Sequence, residues 1–316
     1  MLRLLLGRAA RLVVTLLAVT FGAFLLINLL PGDPARQLIP DQYANAENVA
    51  QIRTELSLDR PLPARYADWL GDAVQGDLGV SYRSRLPVAE AIMDRLPVTL
   101  ELVVLAQVIA LGGALLIAPL AAGRRGAVFD RLAMVGVSAA VSVPSFTLAI
   151  AAIFVFAVRL KWLPSTGFVP LSESVGDNLR SVILPSAALA LEGMAVYTQA
   201  LRTEMVRVLG EDFVLLARAR GLSPRYVMFR HVLRPSSLPL LSLFGIYTGG
   251  LLGGAALIET IFSLPGVGRL TVDSITNQDY LLVQGIVVFI TVAYVMVNFA
   301  VDLLYAVMDP RIRVRS

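Results

Sequence analysis

Apolar residues run along this chain in long, nearly uncharged stretches, separated by short polar segments. Runs close to or above the roughly 18–20 residues that cross a hydrocarbon layer fall at about 12–30, 98–122, 132–158, 236–258 and 283–307. A sixth run, at about 182–201, contains Glu192 and opens at Leu184-Pro185. Its core, "ILPSAALALEGMAVYTQAL", carries no other charge, so it is read as a span too. The first run exceeds the usual 7–15 apolar residues of a secretory signal and no small-x-small cleavage site follows, so it is read as a retained helix. The pattern predicts an all-α, polytopic membrane protein with six transmembrane helices.

Composition agrees with that pattern. Hydrophobic residues make up 57% of the 316, against roughly 45–50% in soluble domains, and charged residues only 16%. Lys161 is the single lysine, so arginine placement produces the net charge of +4. Arg3, Arg8 and Arg11 precede the first span, Arg124, Arg125 and Arg131 follow the second, five arginines lie in 211–235, and Arg311, Arg313 and Arg315 lie in the tail. The segment 31–96 instead carries ten acids against seven arginines, and 159–181 and 259–282 are poor in basic residues. The positive-inside bias then places both termini and 211–235 in the cytoplasm.

Most searches for chemistry exclude rather than assign. With no cysteine there is no disulfide framework, zinc-thiolate site or thiol nucleophile. A phosphate-binding G-x-x-x-x-G-K-[ST] loop needs a lysine, and Lys161 sits in "RLKWLPSTG", which lacks it. His231 is the only histidine, which makes a transition-metal cage within the chain implausible. Ser145 and Ser165 have no base in any recognisable motif. The chain is read as non-catalytic, with no reason to bind nucleic acid.

Other features suit a pathway through a membrane. Pro119, Pro144, Pro185 and Pro239 lie in or at the ends of spans, where broken helices are tolerated if protein or water meets the freed backbone groups. "GGLLGG" at 249–254 holds two overlapping G-x-x-x-G patterns, read as close helix packing. Of the acids in apolar runs, Glu101 and Asp302 lie near span ends, and Asn298 with Asp302 reads as an anchor at i, i+4. Glu192 lies deepest, and either a pathway role or a structural pair fits it. The outer segment 31–96 opens with "LLPGDP", whose prolines and glycine must end the first helix. Further on, Tyr66, Trp69 and Leu70 at helical spacing predict a small amphipathic helix, and the segment is also a candidate contact for a partner outside the membrane.

Seven stretches, spread in order along the whole chain, carry a resemblance. They are "LLPGDP" at 29–34, "GDLGVSYRSRLPVAEAIMDRLPVTLEL" at 76–102, "SVPSF" at 142–146, "LPSTG" at 163–167, "DFVLLARARGLS" at 212–223, "IETIFSLPGVG" at 258–268 and "NFAVDLLYAVMDPRIR" at 298–313. Together the chain resembles permease subunits of the dipeptide/oligopeptide/nickel family of binding-protein-dependent ABC importers, in particular the subunit with the longer outer segment. The resemblance implies the type I ABC importer permease fold in a bacterial plasma membrane. Its divisions would be 1–30, an N-terminus with the first helix; 31–96, the outer segment; 97–310, a five-helix core with a cytoplasmic coupling loop at 201–235; and 311–316, a cytoplasmic tail. It implies a second permease subunit as heterodimer partner, two ATPase subunits that hold ATP and Mg, and an extracytoplasmic substrate-binding protein. A nickel or glutathione importer is the alternative within the family, and a secondary carrier or channel is the alternative of another class. No inverted repeat points to a carrier.

By the same resemblance, 211–235 is similar to the cytoplasmic signature loop of such permeases, and the residues themselves suit a coupling element. Glu211 and Asp212 stand at the positive N-terminus of a first helix through Phe213 and Ala217. Arg220, Gly221 and Leu222 form the break. Ser223 caps a second helix with Pro224 at its first position, leading through Arg225 to His231. Tyr226, Met228 and Phe229 are the expected docking knobs on the ATPase. The competing reading is a basic amphipathic helix lying on anionic lipid. Glu192, Glu259, Pro144 and Phe146 are the candidate pathway or gate residues.

Overall fold

The computed structural model describes residues 2–29, 50, 53, 59–81 and 83–308, with side chains from 12 to 25 in the first helix and without those of 302 and 305–308 in the last. Every regular element among them is helical, and a lone bridge joins Val80 to Pro87. The "LLPGDP" stretch beyond Leu29, the Asp302 side chain and the tail 311–316 lie outside the described residues.

In order, the helices are α1 (Leu2–Leu29), α2 (Leu62–Val74), α3 (Val88–Gly123), α4 (Val128–Ser142), α5 (Ser145–Arg159), α6 (Val175–Leu209), α7 (Asp212–Ala219), α8 (Pro224–Ser236), α9 (Leu238–Gly254), α10 (Ala256–Ile261), α11 (Val267–Thr276) and α12 (Tyr280–Met308). The six apolar runs fall on α1, α3, α4 with α5, α6, α9 and α12. Three stretches, Val88–Gly123, Val175–Leu209 and Tyr280–Val301, are long and apolar enough to cross a membrane unbroken. Two bent pairs reach that length and apolarity only when each is counted as one span: α4 and α5, which meet at 103°, and α8 and α9, at 54°. Within α1, Leu12–Leu25 is apolar.

Proline does not break this protein where it might be expected to. Helix α3 runs through Pro97 and Pro119, and α6 runs through Pro185. Pro239 sits in the first turn of α9, where its missing N–H costs nothing. Pro144 marks the sharpest bend, with extended dihedrals before α5, and Pro239 follows directly on the 54° one.

Two compact units form: Met1–Leu96 with Leu270–Val292, and Pro97–Arg269 with Ala293–Ser316. In the first, the amphipathic α2 lays Tyr66 and Trp69 on Phe21 and Phe24 of α1, and the Tyr66 hydroxyl lies 2.8 Å from that of Thr20. The loop after α2 is tied to the start of α12 by Ser81, which donates to the Asp279 carboxylate, and by Arg83, which donates to the Asn277 carbonyl at 3.0 Å.

In the second unit α6 is the hub. Its buried Leu189, Tyr197, Leu201 and Met205 pack in one core with Ala106, Ala110, Ala114 and Ala118 of α3. Alanine at every fourth position gives α3 a smooth stripe on which a neighbouring helix can approach closely, since shape rather than hydrophobicity drives helix association in lipid. Polar bonds fix the register: Tyr197 donates to Gln107 at 2.9 Å, and Gln107 donates to Thr248 of α9 at 2.7 Å. The glycines of α9 split by face. A Cβ at Gly249 would strike the Tyr294 ring of α12 and one at Gly245 would crowd Val301, whereas Gly250 and Gly254 have open space. Gly245 and Gly249 are thus close-packing positions on one face of α9, and Gly249 belongs to the expected 249–254 stripe.

Candidate functional site

Residues 211–235 build a two-part helical element. Asp212 lies in the first turn of α7, where its charge meets the helix dipole. Glu211 precedes it and pairs at 2.7 Å with Arg207, which also grips Glu204, so the end of α6 is clamped to the start of α7. At the other end the Gly221 N–H bonds the Arg218 carbonyl at 2.9 Å and the Leu222 N–H reaches the Ala217 carbonyl at 3.3 Å. This double closure needs a left-handed residue after the cap, and Gly221 supplies it with φ of +78°. The Ser223 side chain then caps α8 by accepting from the Tyr226 N–H, with Pro224 next in line.

The two faces of this element differ in kind. Val214, Ala217, Val227 and Val232 are buried, while Phe213, Leu216, Leu222, Tyr226 and Phe229 are exposed. A row of large apolar side chains in the open, flanked by Arg220 and Arg225, marks an interaction surface. Met228, expected as a third knob, instead packs inward against the core. It stands two residues from Tyr226 and one from Phe229, spacings that point away from the face those two share. Residues Val227–Val232 are π-wound, and the wider turn brings Tyr226 and His231, five apart, into edge-on ring contact at 5.5 Å.

Beside the element stands a buried ion pair that reading by sequence spacing missed. Arg202 of α6 grips both oxygens of Asp130 at 2.5 and 2.7 Å, and the Gly126 N–H donates to the same carboxylate at 2.8 Å. The turn between α3 and α4 is thereby locked to α6. Together with α3, these bonds hold the base on which the 211–235 element sits.

A second feature is a cavity of about 390 Å³ lined by Ser145, Leu189, Glu192, Ile246, Tyr247, Gly250, Leu251 and Gly254. Glu192 is exposed within it and interacts with the Tyr247 hydroxyl. The bend at Pro144 delivers Ser145 to the wall, and Phe146 beside it is exposed. Glu259 has a different setting, with 0% of its surface exposed. Its carboxylate accepts from the Thr99 hydroxyl at 2.7 Å and from the Arg269 N–H at 2.8 Å, and it also meets the Gly268 N–H. Thr99 in turn accepts from the Val267 N–H at 2.9 Å. The N–H groups of the first turn of α11 are thus met by a residue of α10 and one of α3. A Cβ at Gly266 would strike that carboxylate, and one at Gly268 would come within 2.6 Å of the Ala256 backbone, which is why "PGVG" carries glycine twice. Among the described residues no three His, Asp or Glu side chains gather as a metal site would need.

Apolar helices of spanning length, a mainly apolar cavity that holds Glu192, and an exposed apolar element on 211–235 suit a multi-pass membrane transport component. Sequence comparison places it further. Residues 97–314 match the family "Binding-protein-dependent transport system inner membrane component", and 1–103 match "Binding-prot-dependent transport system membrane comp, N-term". The chain belongs to this family of inner-membrane permeases and has the type I ABC importer permease fold. It is similar to a peptide transport system permease protein of Brucella abortus (strain 2308), 41% identical over 99% of both chains. It is also similar to the di/tripeptide transport system permease protein DppB of Pseudomonas aeruginosa (strain UCBPP-PA14) and to the glutathione transport system permease protein GsiC of Escherichia coli O6:H1, each 38% identical over 99% of both chains.

Proposed function

We propose that this chain forms half of the membrane pathway of an ATP-driven importer of dipeptides or oligopeptides, and that residues 211–235 couple it to the ATPases. The observation that carries the reading is the exposed apolar face of Phe213, Leu216, Leu222, Tyr226 and Phe229, set at the angle that the Gly221 break imposes. In this reading a second permease completes the pathway, two ATPase subunits dock on 211–235 and supply ATP and Mg, and a binding protein delivers substrate from outside. Both termini and the coupling element face the cytoplasm of a bacterial cell. The chain itself performs no bond chemistry.

Glu192 is the pathway group in this scheme, since it is the one carboxylate in the cavity and an anionic wall suits the ammonium end of a peptide. Pro144 and Phe146 shape the adjoining bend. Glu259 holds the fold beside the pathway rather than lining it. The names of the relatives support peptide as cargo, and the glutathione permease favours one second reading, in which the cargo is that γ-linked tripeptide.

Reconstitution with ATPase, second permease and binding protein tests the proposal. Labelled dipeptide should accumulate only with ATP, and the purified chain alone should neither bind nor hydrolyse nucleotide. Saturable nucleotide binding by the isolated chain, or uptake without the ATPases, would overturn it.

A further inference from the structure

A larger cavity, of about 670 Å³, lies where the end of α3 meets α6, α7 and α8. Arg124 and Arg125 reach its wall from the turn after α3, and Arg218 from α7. Ala122, Val206, Leu209, Val227 and Met228 supply an apolar wall. No carboxylate lines it. The acid that acts on Arg125, Asp130, is already occupied by Arg202 and the Gly126 N–H. Among the described residues Arg124, Arg125 and Arg218 form no ion pair.

Three exposed arginines from two separate elements line one cavity and concentrate positive charge there. Guanidinium forks pair bidentately with phosphate oxygens, better than a point charge does. The apolar wall excludes a fully hydrated small ion as the best occupant and fits an amphiphile. Position agrees, because Arg124 and Arg125 follow directly on the apolar run of α3, which ends at about residue 122. Basic pockets between span ends are where anionic headgroups settle. We propose that this cavity binds a phosphate-bearing anion, the headgroup of an anionic phospholipid with the start of its acyl chain on the Val206, Leu209 and Met228 wall. Val227 and Met228 belong to the inward face of α8, opposite Tyr226 and Phe229, so the occupant does not compete with a partner docked on the exposed face. It bridges the span ends to the coupling element and braces that element's angle.

The test is native mass spectrometry of the full chain in detergent, titrated with phosphatidylglycerol, with phosphatidylcholine as the neutral control. Phosphatidylglycerol should be retained in preference, and Arg125→Gln with Arg218→Gln should weaken retention about fivefold for each arginine removed. Arg131→Gln, on the same basic segment but outside the cavity, should leave it unchanged. Lysine in place of both arginines keeps the charge, guards against misfolding as the cause of loss, and should restore most of the preference. If glycerol phosphate at millimolar concentration displaces the lipid, the anion site stands and its ligand is soluble. Equal loss in the Arg131 variant, or no preference for phosphatidylglycerol over phosphatidylcholine, overturns the proposal.

Discussion

A carboxylate with no path to solvent is tolerated only if donors surround it, and the donors around Glu259 support reading it as a cap on α11. Removing it takes the acceptor from the buried Thr99 hydroxyl and the Gly268 N–H, at about 1–3 kcal/mol for each orphaned group. Glu259→Ala should therefore lower the melting temperature and folded yield in detergent. Glu259→Gln, which keeps one acceptor oxygen, should cost less. A variant that melts like the parent yet fails to import would instead mark Glu259 as a pathway group. Sequence could single this residue out only as an acid in a motif. Its partners lie up to 160 positions away, and neutral polar residues such as Thr99, Gln107 and Tyr197 leave no mark in an apolar run. Asp130 and Arg202, separated by 72 positions, were invisible for a related reason: an arginine at a span end reads as topology, not as half of a pair.

At the scale of the element, the local signals were legible because they act over a few residues. Gly221, Ser223 and Pro224 announce a break and a restart, and the structure places a left-handed turn and a side-chain cap there. The bends were less legible, since proline marks both the 103° break at Pro144 and the unbroken paths through Pro119 and Pro185. What separates them is whether neighbouring helices continue the packing, which spacing alone does not encode. For Gly221 the requirement is purely one of backbone angle, as a Cβ there meets nothing within 4 Å. Gly221→Val should cost at least about 1 kcal/mol through the φ of +78° and tilt Tyr226 and Phe229 off their partner. Gly221→Asn, whose side chain tolerates that region, should be milder. Arg225→Glu should be mild as well, since an exposed ion pair is worth only about 0–1 kcal/mol. The expected phenotype of Gly221→Val is normal permease in the membrane with ATP hydrolysis uncoupled from import. If Arg225→Glu abolishes import while Gly221→Val is silent, 211–235 acts as a charged lipid-surface helix and the coupling role fails.

For the whole molecule, the number and order of spans follow from hydropathy, while orientation rests on where arginines cluster relative to them. Arg124 and Arg125 stand between α3 and α4, with Arg131 in the first turns of α4, and the basic 211–235 element stands between α6 and α9, two spans further on. Two such segments separated by an even number of spans share one side of the membrane, and the positive-inside rule is the argument for taking that side as the cytoplasm. In the proposed orientation the segment after α2 and the loops 160–174 and 277–279 face outward. Because the native chain has no cysteine, single substitutions report position without background. Asp72, Thr166, Asn277 and Ser223 are all exposed, so accessibility of the side chain itself does not limit labelling. Cysteine at Asp72, Thr166 or Asn277 should react with an impermeant maleimide added to intact spheroplasts, and Ser223→Cys should react only after permeabilisation. Labelling of Thr166 from the inside with Asp72 outside would mean that α4 and α5, with their 103° bend, form a re-entrant loop rather than a span. Complete reversal of all four sites would leave the exposed face of Phe213, Tyr226 and Phe229 on the side away from ATP, and no coupling role could survive it.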